Sequence, residues 1–301
     1  CSLKPSIPSS PMPTTVSHFA AGIFAVGVTV GLFVKTVMSH HILILGGTTE
    51  ARLLAGELAN NPALTVTLSL AGRTRRPLPQ PVPTRSGGFG GVPGLIRYLH
   101  DHRIDLLIDA THPFAQQMSE HAAAAAKAAG LPHLAIRRPP WQPAADDDWR
   151  MVDDLAAALR QIGPSPQRIF VAFGRQELTP LLVAPQHHYL VRSVDPVTPP
   201  LALPKVDYLL GRGPFKVAAE EALLRDHGVQ LIIAKNSGGA ATSAKLHAAR
   251  ALGLPCYLIR RPPLPAVDQV PTVAAAQRSI AHWLSSGDLP SDANLAALRG
   301  E

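Results

Sequence analysis

Hydrophobic residues in this chain form short continuous runs, and each run is followed by a longer stretch with the spacing of an amphipathic helix. Runs of strand length that alternate with such helices predict a parallel sheet with helices on both faces. Between residues 38 and 139 the predicted strands are 42–45, 64–70, 104–109 and 133–137. The predicted helices are 48–60, 92–102 and an Ala-rich helix that ends at Ala129.

A second series of the same kind follows a polar, proline-bearing bridge at 139–150. We therefore expect an α/β fold of two Rossmann-like parallel-sheet domains, 38–139 and 140–285. Ligands of such sheets bind outside the carboxyl ends of the strands, so the ligand cleft is expected between the domains. The predicted strands of the second series are 168–173, 188–193, 206–210, 229–234 and 256–260, and its helices are 153–161, 215–227, 241–252 and one near 271–285.

The two series share a short sequence. Residues 130–140 read GLPHLAIRRPP and residues 253–263 read GLPCYLIRRPP, so eight of eleven positions are identical. Gly-Leu-Pro is a common turn from helix to strand and Arg-Pro a common strand exit. Duplication of one ancestral unit and convergence on one local architecture both explain the match.

The loop Gly46-Gly47-Thr48-Thr49-Glu50 joins the first predicted strand to the first predicted helix. Paired glycines at this junction leave backbone N–H groups directed into a crevice. Together with the positive end of the helix dipole, these groups form a site for phosphate. We expect this loop to bind a nucleotide cofactor. The G-x-G-x-x-G fingerprint is absent, so a tight turn without a ligand is the alternative.

The end of the second predicted strand bears on which nucleotide binds. NAD-dependent folds usually have an acidic residue there, but this chain has Arg73 and Thr74. An arginine fork suits a ribose phosphate, which favours NADP(H) over NAD(H). In the glycine loop 87–91 we add Gly88 as a further cofactor-binding candidate.

Thr111 and His112 follow the strand 104–109 and should face the nicotinamide end of such a cofactor. They could hydrogen-bond its ribose or carboxamide, and His112 could donate a proton. The alternative is a plain helix start, in which Thr111 is a cap and His112 is structural.

The second series has anion-binding candidates of its own. Lys235, Asn236, Ser237 and Gly238 provide an ammonium, an amide, a hydroxyl and a flexible backbone in one loop before a helix. Each candidate loop could equally be a simple turn with a cap. Two arginines at predicted strand ends complete the substrate-binding candidates: Arg138 and Arg212.

Composition narrows the class of ligand. The formal net charge is +7 and the pI is near 9.8, so an anionic partner is expected. Nucleic acid is not predicted, because no Lys/Arg block is interleaved with aromatic residues, which make up 5% of the chain. The two cysteines, Cys1 and Cys256, form no disulfide framework, and the histidines show no ligand spacing, so no metal is expected.

The two ends of the chain are expected to lie outside the fold. Residues 1–37 are interpreted as an N-terminal extension and 286–301 as a mobile tail. The uncharged run 19–34 is short for a membrane span and lacks a cleavage signal, although an anchor or targeting segment is the alternative. We predict a cytoplasmic protein and leave its oligomeric state open, a monomer included.

Six motifs occur together in a fixed order: GGTTEAR at 46–52, SLAGRT at 69–74, GGFGG at 87–91, DATHPFA at 109–115, GRGPF at 211–215 and KNSGG at 235–239. With the closing IRRP, they resemble the precorrin-6A reductase family of cobalamin biosynthesis over about residues 40–285. The first 37 residues and the short C-terminal tail depart from that pattern.

The resemblance implies an enzyme that uses NADPH to reduce one double bond of the precorrin-6A macrocycle, giving precorrin-6B. Members of the anaerobic route act on the cobalt-containing equivalent. A tetrapyrrole with many carboxylates as the small-molecule substrate agrees with the paired arginines. The proton could come from His112, from Lys235 or from water. Another NADP-dependent oxidoreductase on a different anionic substrate, and a nucleotide-binding protein without turnover, are the alternatives.

Overall fold

The computed structural model describes residues 39–72, 74 and 77–290, and these contain two sheets of six parallel strands each. The predicted fold class, two α/β domains with parallel sheets, is confirmed. The first sheet has the order β12-β5-β4-β1-β2-β3. Its strands are β1 (His40–Leu45), β2 (Leu64–Leu70), β3 (Thr84–Ser86), β4 (Leu106–Asp109), β5 (His133–Ile136) and β12 (Asp268–Val270).

The second sheet has the order β6-β11-β10-β7-β8-β9. Apart from its edge strand, the order repeats that of the first sheet strand for strand. The two series therefore share one topology as well as one short sequence. The strands are β6 (Trp149–Val152), β7 (Arg168–Ala172), β8 (His188–Ser193), β9 (Val206–Leu210), β10 (Leu231–Lys235) and β11 (Cys256–Ile259).

Helices cover both faces of each sheet. On the first sheet, Ile42 and Ile44 face the helices Thr49–Leu58 and Val273–Ser286. Leu43 and Leu45 face the helices Gly91–Asp101 and Gln116–Ala129. This alternation along a strand buried on both sides explains the unbroken apolar run. The helices are α1 (Thr49–Leu58), α2 (Gly91–Asp101), α3 (Gln116–Ala129), α4 (Leu155–Ile162), α5 (Val217–Asp226), α6 (Ala244–Ala251) and α7 (Val273–Ser286).

The two sheets exchange their edge strands. After β5 of the first sheet, the chain crosses over and forms β6 beside β11 of the second. After β11 it crosses back and forms β12 beside β5. Residues 268–286 therefore belong with the first sheet, which corrects the prediction that the second domain extends through 285. The sequence of the short, polar strand β12 does not indicate to which sheet the strand belongs. The apolar face of α7 could pack against either sheet.

The crossings coincide with the repeated sequence. Arg137 N donates to Val270 O of β12, and Arg260 N donates to Val152 O of β6, each at 2.8 Å. Each IRRPP segment thus pairs with the edge strand that arrives from the other half of the chain. The sequence match marks the two places where the chain passes between the sheets.

Both predicted terminal segments fall largely outside the described residues, which begin at 39 and end at 290. The apolar run 19–34 lies outside them as well. Within the described part of the chain, no helix has the length and apolar character required to span a membrane.

Candidate functional site

The loop after β1 is a tight glycine turn at the start of α1. Gly46 N donates to Ser69 O at 2.8 Å, and a Cβ at Gly46 would lie 2.7 Å from Leu68 Cδ1, so a larger residue would require the Leu68 side chain to move. Gly47 has φ +106°, and a Cβ there would meet no atom within 4 Å. The backbone at Gly47 therefore borders open space next to the start of α1.

Thr48 and Thr49 begin α1 in different ways. Thr48 Oγ1 accepts from Ala51 N at 3.1 Å as the helix cap, and it donates to Ala110 O at 2.7 Å. This hydroxyl ties the loop after β1 to the loop after β4, so its first role is structural. Thr49 is exposed and is the first residue of the helix.

Glu50, in the first turn of α1, is joined to the second sheet. Its Oε2 accepts from Arg138 Nη1 at 2.7 Å, and both side chains are largely buried. Arg138 Nε also donates to Ser237 O at 2.7 Å. One arginine therefore connects the predicted cofactor loop with the predicted substrate loop.

Hydrogen bonds from residues of other segments hold the loop Asn236–Gly239 in place. Arg261 donates to Asn236 O, Ser237 O and Arg138 O at 2.7–3.0 Å. Burial, Arg138 and Arg137 lower the pKa of Arg261 to about 10. Asn236 exchanges two hydrogen bonds with the backbone of Trp141. The Asn236 amide is thereby committed to holding the loop in shape.

Lys235 ends β10 and reaches the first domain. Its Nζ lies 2.5 Å from Glu177 Oε1 and 4.9 Å from the ring centroid of Phe114, which belongs to the loop after β4. The Phe173 ring is 5.7 Å away on another side. Glu177 was not among the predicted site residues, because it lies in a short 3₁₀ turn without a recognisable motif.

The carboxylate of Asp109, at the end of β4, holds the loop that follows this strand. Buried Asp109 accepts from Thr111 N and Thr111 Oγ1 through one oxygen and from Arg137 Nη2, at 2.5 Å, through the other. Burial opposes its ionisation, but the charge of Arg137 and the hydrogen bonds from Arg137, Thr111 and Ser119 outweigh burial and lower the Asp109 pKa. Thr111 is thus oriented toward Asp109.

His112 follows with its ring only partly buried. Its Nδ1 accepts from Phe114 N at 3.2 Å, and the ring centroid lies 5.7 Å from that of Phe114. An Nδ1 that accepts leaves the proton of a neutral imidazole on Nε2. Through Phe114, His112 and Lys235 belong to one neighbourhood.

The remaining predicted residues follow strands that lie at, or next to, the edge of a sheet. Gly88, after β3, accepts a hydrogen bond from Arg85 through its carbonyl oxygen. Arg212 is exposed after β9, the edge strand of the second sheet. Thr74 is partly buried, and Arg73 lies outside the described residues.

A buried polar cluster supports the loops of the second sheet. Arg192 forms a two-point ion pair with Glu220, at 2.5 and 2.8 Å, and its guanidinium lies 3.8 Å from the Phe215 ring centroid. Lys245 Nζ donates to Thr242 O and lies 4.8 Å from the Trp141 ring centroid. Burial, followed by the charge of Arg192, lowers the pKa of Lys245 to about 7.

Over the described ranges, no group of three or more His, Cys, Asp or Glu side chains is placed to hold a metal ion. Burial raises the pKa of the Cys256 thiol to about 12. A thiol with such a pKa stays protonated at neutral pH and is an unreactive packing residue.

Comparison with known proteins gives a consistent result. The family described as Precorrin-6x reductase CbiJ/CobK matches residues 41–283. The chain is similar to a precorrin-6A reductase from Sinorhizobium sp, with 51% identity over 81% of this chain and 94% of the relative. It is also similar to a cobalt-precorrin-6A reductase from Priestia megaterium, with 27% identity over 73% of this chain and 90% of the relative.

A solved structure described as CobK precorrin-6A reductase has the same fold. It superposes with a TM-score of 0.78 and is 46% identical, covering 84% of this chain and 99% of that chain.

Proposed function

The chain belongs to the precorrin-6x reductase family, the reductases of cobalamin biosynthesis, and on that basis we propose that it uses NADPH to reduce one double bond of the precorrin-6A macrocycle. The product would be the dihydro compound precorrin-6B. The observation that carries the proposal is the position of Arg138, which links the phosphate-binding turn of the first sheet to the Asn236–Gly239 loop of the second.

The residues present fit a dinucleotide. The glycine turn borders open space at Gly47, and the N-terminus of α1 favours the negative charge of a diphosphate there. We assign Gly47 and Thr49 to the diphosphate through the backbone, whereas Gly46 holds the turn against β2, because its N–H donates to Ser69 O. When bound, NADPH supplies the hydride for the reduction. Thr111 and His112 would contact its nicotinamide half, since they follow the neighbouring strand β4.

The substrate would lie against the loops of the second sheet. A macrocycle with several carboxylates needs cationic and N–H donors, which Lys235, Ser237 and Gly238 provide in one loop. Arg138 and Arg212 are the further candidates. Catalysis would depend mainly on holding two large planar groups together in the correct orientation.

Reduction of a carbon–carbon double bond also needs a proton. His112 and Lys235 are candidate donors near the loop after β4, and water is the third alternative. The Phe114 and Phe173 rings flank Lys235 and would restrict water around it. Glu177 would hold the Lys235 ammonium in position.

We propose the cobalt-free substrate over its cobalt-containing equivalent. The identity to the Sinorhizobium precorrin-6A reductase, well above that to the cobalt-precorrin-6A reductase of Priestia megaterium, supports this preference. A cytoplasmic location remains part of the same proposal.

The test is anaerobic incubation of the full chain with precorrin-6A and NADPH. We expect the pigment to gain two hydrogen atoms by mass while an equal amount of NADPH is oxidised. Parallel reactions with NADH and with cobalt-precorrin-6A check the cofactor and the substrate. Tight binding of NADPH without reduction of either pigment would contradict the proposal.

A further inference from the structure

Arg85 is the middle residue of β3, and its guanidinium is fixed by three hydrogen bonds. In register with it on β2 is Ser69, whose Oγ accepts from Nη1 at 2.8 Å. Nη1 also donates to Gly87 O at 2.9 Å, and Nη2 donates to Gly88 O at 3.0 Å. The guanidinium lies 3.9 Å from the centroid of the Phe89 ring.

This arrangement leaves one edge of the guanidinium unused. Arg has five N–H groups in a planar fork. The three bonds use both hydrogens of Nη1 and one of Nη2. Nε–H and the second hydrogen of Nη2 have no hydrogen-bond partner among the described residues. Nε–H and the Nη2 hydrogen beside it form one edge of the fork, which is the geometry that binds a phosphate through two hydrogen bonds.

Arg85, which carries this unused edge, lies next to the predicted cofactor loop 46–50. Ser69, which accepts from Arg85 through its hydroxyl, accepts from Gly46 N through its carbonyl. The turn after β3 also lies against the turn after β2, because Gly87 N donates to Leu70 O at 2.9 Å. A Cβ at Gly72 would lie 3.6 Å from Gly87 N. Arg85 is thus close to the end of β2 and to Gly72.

We propose that Arg85 binds the phosphate ester on the adenosine ribose of NADPH through its Nε–Nη2 edge and so determines the preference for NADPH over NADH. The inference rests on the proposed function, because it assigns the adenosine end of the cofactor to the turns after β2 and β3. A ribose phosphate carries close to two negative charges at neutral pH, and a prefixed guanidinium binds it with little loss of side-chain freedom. The pattern of hydrophobic positions gave no sign of this role, since Arg85 lies in a three-residue strand.

The test measures dissociation constants of NADPH and NADH for the full chain and its variants. We expect Arg85→Gln to weaken NADPH at least 10-fold, the loss typical of hydrogen bonds to a charged group. NADH should change by less than about 2-fold, because it lacks the phosphate. Exposed Lys127→Gln in α3 controls for net charge and should leave the NADPH/NADH ratio near that of the wild type.

Equal weakening of NADPH and NADH by Arg85→Gln would overturn the inference and leave Arg85 as a support of the glycine turn. If that variant does not fold, Arg85→Lys keeps the charge and the stem over Phe89 but loses the fork, and the same selective loss is expected. A wild-type chain that binds neither nucleotide overturns the proposed function itself. A wild-type chain that reduces precorrin-6A equally well with both nucleotides overturns only the role of Arg85.

Discussion

Arg138 and Glu50 form an ion pair with 2.7 Å between Nη1 and Oε2, although 88 residues separate them in sequence. Glu50 lies in the first turn of the helix at which we expect a diphosphate, so its carboxylate would repel that ligand if it were unpaired. Arg138 offsets this charge and, through its bond to Ser237 O, fixes the neighbouring loop. The pair thereby gives both predicted loops one common support.

We expect Arg138→Gln to weaken NADPH binding about 10-fold, because the unpaired Glu50 carboxylate then faces the phosphates. The double variant Arg138→Gln/Glu50→Gln should recover most of the loss. Titration of NADPH fluorescence measures both. Arg260→Gln is the control, since its partner Asp153 is 82% exposed. A double variant that binds NADPH more weakly than Arg138→Gln would exclude this explanation.

Gly238 illustrates a position that only glycine can occupy. A Cβ there would lie 2.1 Å from Pro139 O, and its φ is +68°. Gly253 has a similar φ of +64°, but a Cβ there would meet nothing within 4 Å. Gly253→Ala should therefore cost only the backbone strain of about 1–2 kcal/mol. Gly238→Ala should lower the free energy of unfolding further and reduce turnover, as urea denaturation and NADPH oxidation would measure. Equal losses would mean that the loop moves freely away from Pro139.

Replacing Asp109 by Asn should destabilise the protein by about 3–5 kcal/mol at pH 7, because the Arg137 charge is then buried without its partner. The pKa of Asp109 in the folded chain is below its ordinary value of 3.8. Its contribution is therefore present above about pH 4 and is lost as the pH falls further. The difference in unfolding free energy between wild type and Asp109→Asn should shrink from pH 5 to pH 3. The double variant Asp109→Leu/Arg137→Met should be less destabilised than Asp109→Asn.

Lys245 should make stability increase with pH. Its pKa is about 7 in the folded chain and 10.5 ordinarily, so the unfolded chain binds more protons between these values. We expect the unfolding free energy of wild type, relative to Lys245→Met, to rise by about 1.4 kcal/mol per pH unit between pH 7.5 and 9. Chemical denaturation at several pH values measures the difference. Exposed Lys127→Met should follow the wild-type curve, and parallel curves for Lys245→Met would contradict the prediction.

The strands buried in the middle of each sheet were predictable because continuous apolar runs leave few alternatives. β2 and β8 begin and end at the predicted residues, and so does the edge strand β9. The short edge strands β3, β6 and β12 were not predicted, since such strands can be polar. The prediction therefore missed the exchange between the sheets, although the repeated IRRPP sequence marked both crossings.

For the site, the loops were predictable but the side chains that hold them were not. Glycine pairs and helix starts are local signals, and they identified the turns at Gly46 and Gly238. Glu177, Arg85 and Trp141 come from distant parts of the chain, where each has the sequence context of an ordinary surface residue. Thr48 was a candidate ligand, yet its hydroxyl forms the helix cap, because capping needs the same residue type.

β6 follows the first series of strands but pairs in the second sheet, and β12 follows the second series but pairs in the first sheet. Neither series therefore forms a complete sheet without the other. A fragment that stopped at residue 139 would leave the outer side of β5 with unpaired backbone groups, open to pairing with another copy. The two crossings also tether the sheets to each other, so any motion of one sheet relative to the other must bend these two segments.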